Sequence, residues 1–384
     1  MIATYIHLTP FTQLQNSFMR TYASSLSLAI LLVASLANVG LAQAQDTLGN
    51  QGVADVEQPY DQDADGEQRA KKAGENLIGQ PGPKAVLTTL EGETLDLTKL
   101  YGHQPIYLKF WATWCVPCRQ QMPSFQAFQE AHGDEVQVVA VNTGFADTAN
   151  AAAGYRKKLG LTMPVAVDDG TLANVFNLRV TPQHVLIDRS GRIAYVGHSD
   201  DQELKEALQK LLTDDGEYSA PVQATELTSV ANDALALGDT ITELTIRTLE
   251  GETVDAARTN TDKPLGLVFF ATWCESYLEQ SKPETSVACT RVREEVNKLS
   301  QRDDIEWLAV ASGLWTEQSD VDSYLETTKV KVPVALDAEG TLFREFDVQQ
   351  IPSVVLIDGQ GKWSQLIEPQ ETDLDSAIIK VLAP

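Results

Sequence analysis

The sequence predicts an α/β protein made of two tandem three-layer α/β/α sandwiches. Its 384 residues are a length typical of two domains. The segment LEGET at residues 90–94 recurs at 249–253, and ATWC at 112–115 recurs at 271–274, both with an offset of 159. Each copy also alternates short apolar runs with amphipathic stretches, a pattern typical of helices packed on both faces of a sheet.

The first copy divides into alternating strand and helix candidates. The expected strands are residues 106–111, 136–141, 184–187 and 193–196, and the expected helices are residues 116–131, 149–159 and 201–212. The second copy continues the repeat, since Pro182 and the LID at 186–188 recur at an offset of 170. The rise of the offset from 159 indicates an insertion of about ten residues beside Cys274.

The N-terminal segment, residues 1–44, has the pattern of a secretory signal peptide. Residues 23–41 carry no charge and are mostly apolar, and the small residues AQA at 42–44 fit a cleavage site. We therefore expect cleavage near Ala44 and a periplasmic or otherwise exported protein, with Met1 and Met19 both open as start. The apolar core is short for the ~20 residues that span a bilayer, so no membrane contact is expected beyond an uncleaved signal anchor.

Composition sets the remaining boundaries. Residues 45–76 are acidic with almost no large apolar side chain, which predicts a disordered linker. Residues 214–235 lack periodicity and link two domains at 77–213 and 236–384.

The chain has 29 Lys+Arg against 54 Asp+Glu, a net charge of −25, which opposes contact with phosphate backbones. Nucleic acid is therefore not an expected partner.

The motif that carries chemistry is Cys115-Val116-Pro117-Cys118, between an expected strand and an expected helix. A C-x-x-C in this context is typical of a redox-active pair. At a helix N-terminus, Cys115 would meet the positive end of the helix dipole, which lowers a thiol pKa. We expect Cys115 to attack a disulfide and Cys118 to resolve the mixed disulfide.

The segments around this motif resemble the thioredoxin superfamily. FWATWCVPC at 110–118 and VTP at 180–182 carry the resemblance, and WATWC is similar to the TlpA-like periplasmic thiol-disulfide oxidoreductases. The resemblance implies a thioredoxin-like fold for both copies and a cis bond before Pro182. The substrate-binding residues that it implies are Trp114, Pro117, Thr181 and Pro182.

Two departures from that family concern proton transfer. Many thioredoxins carry a buried Asp on the strand before the cysteines, where this chain has Lys109. The family's reductants often carry an acid after the next strand, where this chain offers none before Asp147. Proton transfer is therefore not assigned from the sequence.

The second copy keeps Cys274 but reads CESY at 274–277, without a resolving cysteine in the usual place. One continuous helix would separate Cys274 from Cys289 by ~22 Å, too far for a bond. A loop inserted after Cys274 would bring Cys289 close to the place of a resolving cysteine. Pro283 interrupts a long helix and favours the loop and a possible Cys274–Cys289 disulfide. A buried relic of duplication is the alternative for Cys274.

Two functions from different classes stay open. The first is an exported protein-disulfide oxidoreductase, expected to be a reductase, whose partners are protein disulfide substrates and a thiol-disulfide electron donor. Its second domain would serve binding or structure. The other is a redox-inert thioredoxin-like scaffold. A zinc site would need about four ligands, and since no second C-x-x-C exists, neither a metal nor another cofactor is expected.

Overall fold

The computed structural model describes residues 62–213, 223–225, 235–259, 261–371 and 374–382. The expected signal peptide, its cleavage near Ala44, and the tether up to residue 61 lie outside the described residues, as does most of the expected linker. Among the residues that are described, no helix combines the length and the apolar character needed to cross a bilayer.

The first domain is a five-stranded mixed sheet covered by helices. The elements are α1 Gln62–Gly74, β1 Val86–Thr88, β2 Thr94–Asp96, β3 Ile106–Trp111, α2 Val116–His132, β4 Gln137–Asn142, α3 Ala149–Leu159, β5 Val165–Val167, α4 Thr171–Val175, β6 Gln183–Ile187, β7 Ile193–Gly197 and α5 Gln202–Thr213. The strand order of the sheet is β5-β4-β3-β6-β7, with β3 parallel to β4 and antiparallel to β6.

The second domain repeats this architecture. The elements are β8 Thr245–Arg247, β9 Thr253–Asp255, β10 Leu265–Phe270, α6 Cys274–Tyr277, α7 Pro283–Leu299, β11 Glu306–Ser312, α8 Gln318–Thr328, β12 Val334–Asp337, α9 Thr341–Glu345, β13 Ser353–Ile357, β14 Trp363–Ile367 and α10 Leu374–Leu382. The strand order of the sheet is β12-β11-β10-β13-β14, with β10 parallel to β11 and antiparallel to β13. The predicted fold class, two tandem α/β sandwiches, is confirmed.

Local sequence explains why these elements form. The central strands β3 and β10 are buried along their whole length, as expected of strands that helices cover on both faces. Helix α3 is capped at its start by Thr148, whose hydroxyl accepts from the Ala151 amide, and at its end by Gly160 in the left-handed conformation, with φ 65°.

The insertion beside Cys274 takes the looped form. Helix α6 stops after four residues, and α7 begins at Pro283, which stands in the first turn where its missing N–H costs nothing. The continuous helix that the sequence left as an alternative is not formed.

Helix α1 corrects part of the prediction that residues 45–76 are a disordered linker, because Gln62–Gly74 is helical. Its buried residues are small: Gly66, Ala70, Ala73 and Gly74. The side chain of Arg69 is also largely covered and binds Asp65 and Asp320, each at 2.8 Å. Disorder was predicted because the segment has almost no large apolar side chain. Helix α1 is instead held by close approach of its backbone to the first domain and by ion pairs.

The close approach of α1 yields a testable prediction at Gly66. A Cβ there would lie 2.6 Å from the His198 ring and 2.8 Å from the Trp315 ring. Gly66→Ala should therefore lower the urea concentration at the midpoint of unfolding, although Ala stabilises an isolated helix by ~1 kcal/mol relative to Gly. Gly154→Ala in α3 is the matched control, because nothing lies within 4 Å of its Cβ, and should raise the midpoint. Equal stabilisation by both changes would show that α1 does not pack as described.

Candidate active site

The two cysteines of the first domain lie where β3 passes into α2. Cys115 is the N-cap residue of α2, and its sulfur accepts a hydrogen bond from the Cys118 amide at 3.1 Å. The two sulfurs are bonded, with the Cα atoms 5.3 Å apart. Pro117 stands in the first turn, as expected. This geometry gives the Cys115 sulfur a backbone N–H donor and the positive end of the helix dipole.

The loop before β6 completes the site. The peptide bond between Thr181 and Pro182 is cis, as the resemblance implied. The Thr181 carbonyl oxygen lies 3.3 Å from the Cys115 sulfur. The Pro182 carbonyl accepts from Nδ1 of His198 at 2.7 Å, so this ring nitrogen carries a proton. The structure therefore brings four of the predicted site residues, Cys115, Cys118, Thr181 and Pro182, into one place.

Trp114 also lies beside the cysteines, but it is not on an open surface. Its side chain is 1% exposed and its indole N–H donates to the Phe145 carbonyl at 2.9 Å. Its ring packs on Trp273 of the second domain with the centroids 4.8 Å apart. The substrate contact implied for Trp114 is thus occupied by the second domain in this structure.

A buried polar network behind the site involves Lys109. This side chain is fully buried on β3, opposite His184 on β6 in the strand register. Lys109 Nζ donates to Gln121 Oε1 at 3.2 Å, and the same oxygen accepts from His184 Nε2 at 2.9 Å. His184 Nδ1 then accepts from the Tyr107 hydroxyl at 2.7 Å. These partners fit a neutral His184 with its proton on Nε2.

Burial shifts the pKa values in this network. Desolvation lowers the pKa of Lys109 to about 7, although the negative charge of Asp200 acts in the opposite direction. Desolvation, followed by the nearby Lys109 charge, also lowers the pKa of His184 well below its usual range. The sequence pattern singles out Lys109 but not Tyr107, Gln121 or His184 as part of this network. The available signal for His184 was a polar residue within an expected strand, 184–187, whose other residues are apolar, as Lys109 is within 106–111.

Asp147 lies in the loop before α3 and anchors backbone near the cysteines. Its buried carboxylate accepts from the Thr113 amide at 2.6 Å, the Thr113 hydroxyl and the Asn142 side-chain amide at 2.9 Å. It also pairs with Lys282 of the second domain at 3.0 Å. Asp147, which follows the position where the family's reductants often carry an acid, therefore anchors the segment before Trp114 and links the two domains.

In the second domain, Cys274 and Cys289 are bonded, with Cα atoms 6.3 Å apart. Beside them, Glu275 accepts from Arg293 at 2.8 Å and from Tyr324 at 2.7 Å. Burial opposes ionisation of Glu275, but these hydrogen bonds outweigh it and lower the carboxyl pKa. The negative charge that the sequence places beside Cys274 is thus matched by the Arg293 guanidinium.

The Redoxin family model matches residues 77–211 and 236–380, which is both domains. The chain belongs to the Redoxin family. Among its relatives, the thioredoxin-like protein YneN of Bacillus subtilis is 34% identical over 134 residues, 35% of this chain and 78% of YneN. The thiol-disulfide oxidoreductase ResA of Bacillus anthracis is 30% identical over 138 residues, 35% of this chain and 78% of ResA.

Similarity to a solved structure extends over one domain. StoA of Bacillus subtilis is 31% identical and covers 33% of this chain and 99% of its own, with a TM-score of 0.30. The thioredoxin-superfamily resemblance is confirmed by the two Redoxin matches and the named relatives.

The depressed pKa of Lys109 predicts how the stability of this Redoxin protein depends on pH. Between pH 7 and 9 the unfolded chain keeps the Lys109 proton while the folded chain releases it, so the free energy of unfolding rises with pH. The slope contribution is at most ~1.4 kcal/mol per pH unit. Urea unfolding of the oxidised Lys109→Met variant should lose this slope, whereas Lys99→Met, at a side chain 81% exposed, should keep it. Identical slopes in all three proteins would contradict a depressed Lys109 pKa.

Proposed function

We propose that this protein is an exported thiol-disulfide oxidoreductase that reduces protein disulfides at Cys115 and Cys118. Relatives named as thiol-disulfide oxidoreductases support the activity. The observation that carries the proposal is the Cys115 sulfur at the N-terminus of α2, within hydrogen-bond distance of the Cys118 amide. Export is supported by the signal-peptide pattern of residues 1–44.

The proposed reaction is a two-step exchange. In the reduced enzyme, the Cys115 thiolate attacks one sulfur of a substrate disulfide, forms a mixed disulfide and releases one substrate thiolate. The Cys118 thiol loses its proton and attacks the Cys115 sulfur, which releases the second substrate thiolate. The substrate gains two electrons and two protons, and the enzyme is left with the Cys115–Cys118 disulfide. A dithiol electron donor then reduces the enzyme again.

The first experiment is reduction of insulin with dithiothreitol as electron donor. Cys115→Ser should lower the rate to the uncatalysed level, because the attacking sulfur is gone. Cys118→Ser should accumulate a mixed disulfide at Cys115, because attack survives without resolution. The double variant Cys274→Ser/Cys289→Ser is the matched control and should retain turnover. Background rates in the unmodified protein and in Cys115→Ser alike would favour the redox-inert scaffold instead.

For the second domain we propose a binding or structural role, with Cys274 and Cys289 linked in the mature protein. Its expected site lacks a resolving cysteine after Cys274, and the bonded pair spans the insertion between α6 and α7. A disulfide that closes a loop of fifteen residues constrains the unfolded chain.

Mass mapping of the protein recovered from the periplasm should find the Cys274–Cys289 peptide linked and the N-terminus at Gln45. The free energy of unfolding of the double variant Cys274→Ser/Cys289→Ser should be ~3 kcal/mol lower, because its unfolded chain regains the entropy that the closed loop removes. Free thiols at both positions in the recovered protein would exclude the linkage, and an intact Met1 or Met19 would exclude cleavage.

A further inference from the structure

The two domains meet through equivalent residues. Trp114 and Trp273, which occupy the same place in the repeat, pack on each other with their planes 30° apart. Each indole N–H donates to a carbonyl of its own domain, Trp114 to Phe145 at 2.9 Å and Trp273 to Leu314 at 2.7 Å. The tryptophans that precede the two cysteine sites therefore face each other.

Two backbone hydrogen bonds repeat this symmetry. The Ala146 amide donates to the Gln349 carbonyl at 2.7 Å, and the Trp315 amide donates to the Arg179 carbonyl at 2.7 Å. Ala146 and Trp315 are equivalent in the repeat and share a left-handed backbone, with φ of 52° and 56°. Arg179 and Gln349 are equivalent as well, each three residues before a cis proline. Each domain thus contacts the other through the surface around its cysteine pair.

Second-domain residues also contact both sides of Cys115. The Val116 amide donates to the Tyr277 hydroxyl at 2.9 Å. The Trp315 indole N–H donates weakly to the Thr181 hydroxyl, at 3.4 Å. Tyr277 stands 159 residues after Cys118, in the place where the repeat lacks its resolving cysteine. The altered motif of the second domain therefore contacts the residue next to the attacking cysteine.

Ion pairs hold the faces together at their rim. Lys282 binds the buried Asp147, and Arg69 and Lys72 of α1 bind Asp320 and Glu317 at the start of α8. Helix α1 packs on β7 of the first domain, so it spans both domains.

With the two domains in contact, Cys115 is 1% exposed. A protein disulfide must bring its own sulfur into contact with that of Cys115, and reactive cysteines are ordinarily at least partly accessible. We propose that the second domain is an intramolecular lid that occupies the substrate-docking face of the first domain. A protein disulfide then reaches Cys115 only after the Trp114 and Trp273 faces separate. This lid rests on the proposed function for its substrate, but its test does not depend on turnover.

The lid predicts that access to Cys115 is set by the contacts between the domains. The reduced full-length protein is labelled with a 5-kDa polyethylene-glycol maleimide, and the modified cysteines are quantified by peptide mass spectrometry. A thiol introduced by Val86→Cys, at a position 62% exposed, is the internal reference in every sample. If a tenth or less of the molecules are open, full release of the lid raises the rate of Cys115 labelling by ~10-fold or more.

Two variants release the lid at different places. Trp273→Ala removes the central ring contact, and Arg69→Glu replaces the rim ion pair with like charges while leaving every residue around Cys115 intact. Both should label faster at Cys115 than the unmodified protein. Lys99→Glu, a charge reversal at an exposed side chain away from the interface, should not.

An unchanged rate of Cys115 labelling in both lid variants would overturn the lid. A rate of Cys115 labelling in the protein without a lid substitution that equals the rate at the reference thiol would overturn it as well. Failure of the insulin assay in the unmodified protein and in both lid variants, despite faster Cys115 labelling in those variants, would instead count against the proposed function, because maleimide labelling needs only an accessible thiol.

Discussion

The packing of Trp114 on Trp273 is the contact on which the arrangement of this molecule depends. Both rings are held by hydrogen bonds to their own domains, so neither turns away without losing an indole partner. Aromatic pairs of this kind add ~0.5–1.5 kcal/mol beyond the area that they bury. The surrounding side chains extend the contact into one apolar cluster that includes both cysteine pairs. The two sandwiches therefore share part of their core.

This shared core gives a physical reason for the polar groups near it. A buried charge is costly unless it is paired or neutral. Asp147 is paired with Lys282 and accepts three further hydrogen bonds, and Glu275 is matched by Arg293. Lys109 has no carboxylate within ion-pair distance among the described residues, and burial lowers its pKa instead. The first two groups fasten elements to each other, whereas Lys109 lies in the network behind the site.

The packing of the two domains gives the altered motif of the second domain a structural role. Read along the chain, CESY at 274–277 is a redox motif that lost its resolving cysteine. In the fold, Tyr277 contacts the Val116 amide and Glu275 binds Arg293 and Tyr324. Residues that cannot cycle electrons as a C-x-x-C pair thus have defined structural contacts.

The sequence by itself determined the two sandwiches, four of the five sheet strands and the three long helices after β3 in the first, and the placement of Cys115 at a helix start. Those features depend on hydrophobic periodicity and short motifs, which are local in the chain. Helix α1, the pairing of Lys109 with Gln121 and His184, and the covered state of Cys115 were decided by tertiary structure. The physical reason is that these features depend on which surfaces meet. Arg69 binds Asp320 across 251 residues, and Trp114 meets Trp273 across 159. No local pattern encodes such contacts, because the partner of each residue lies far away in the chain and is chosen only when the surfaces meet.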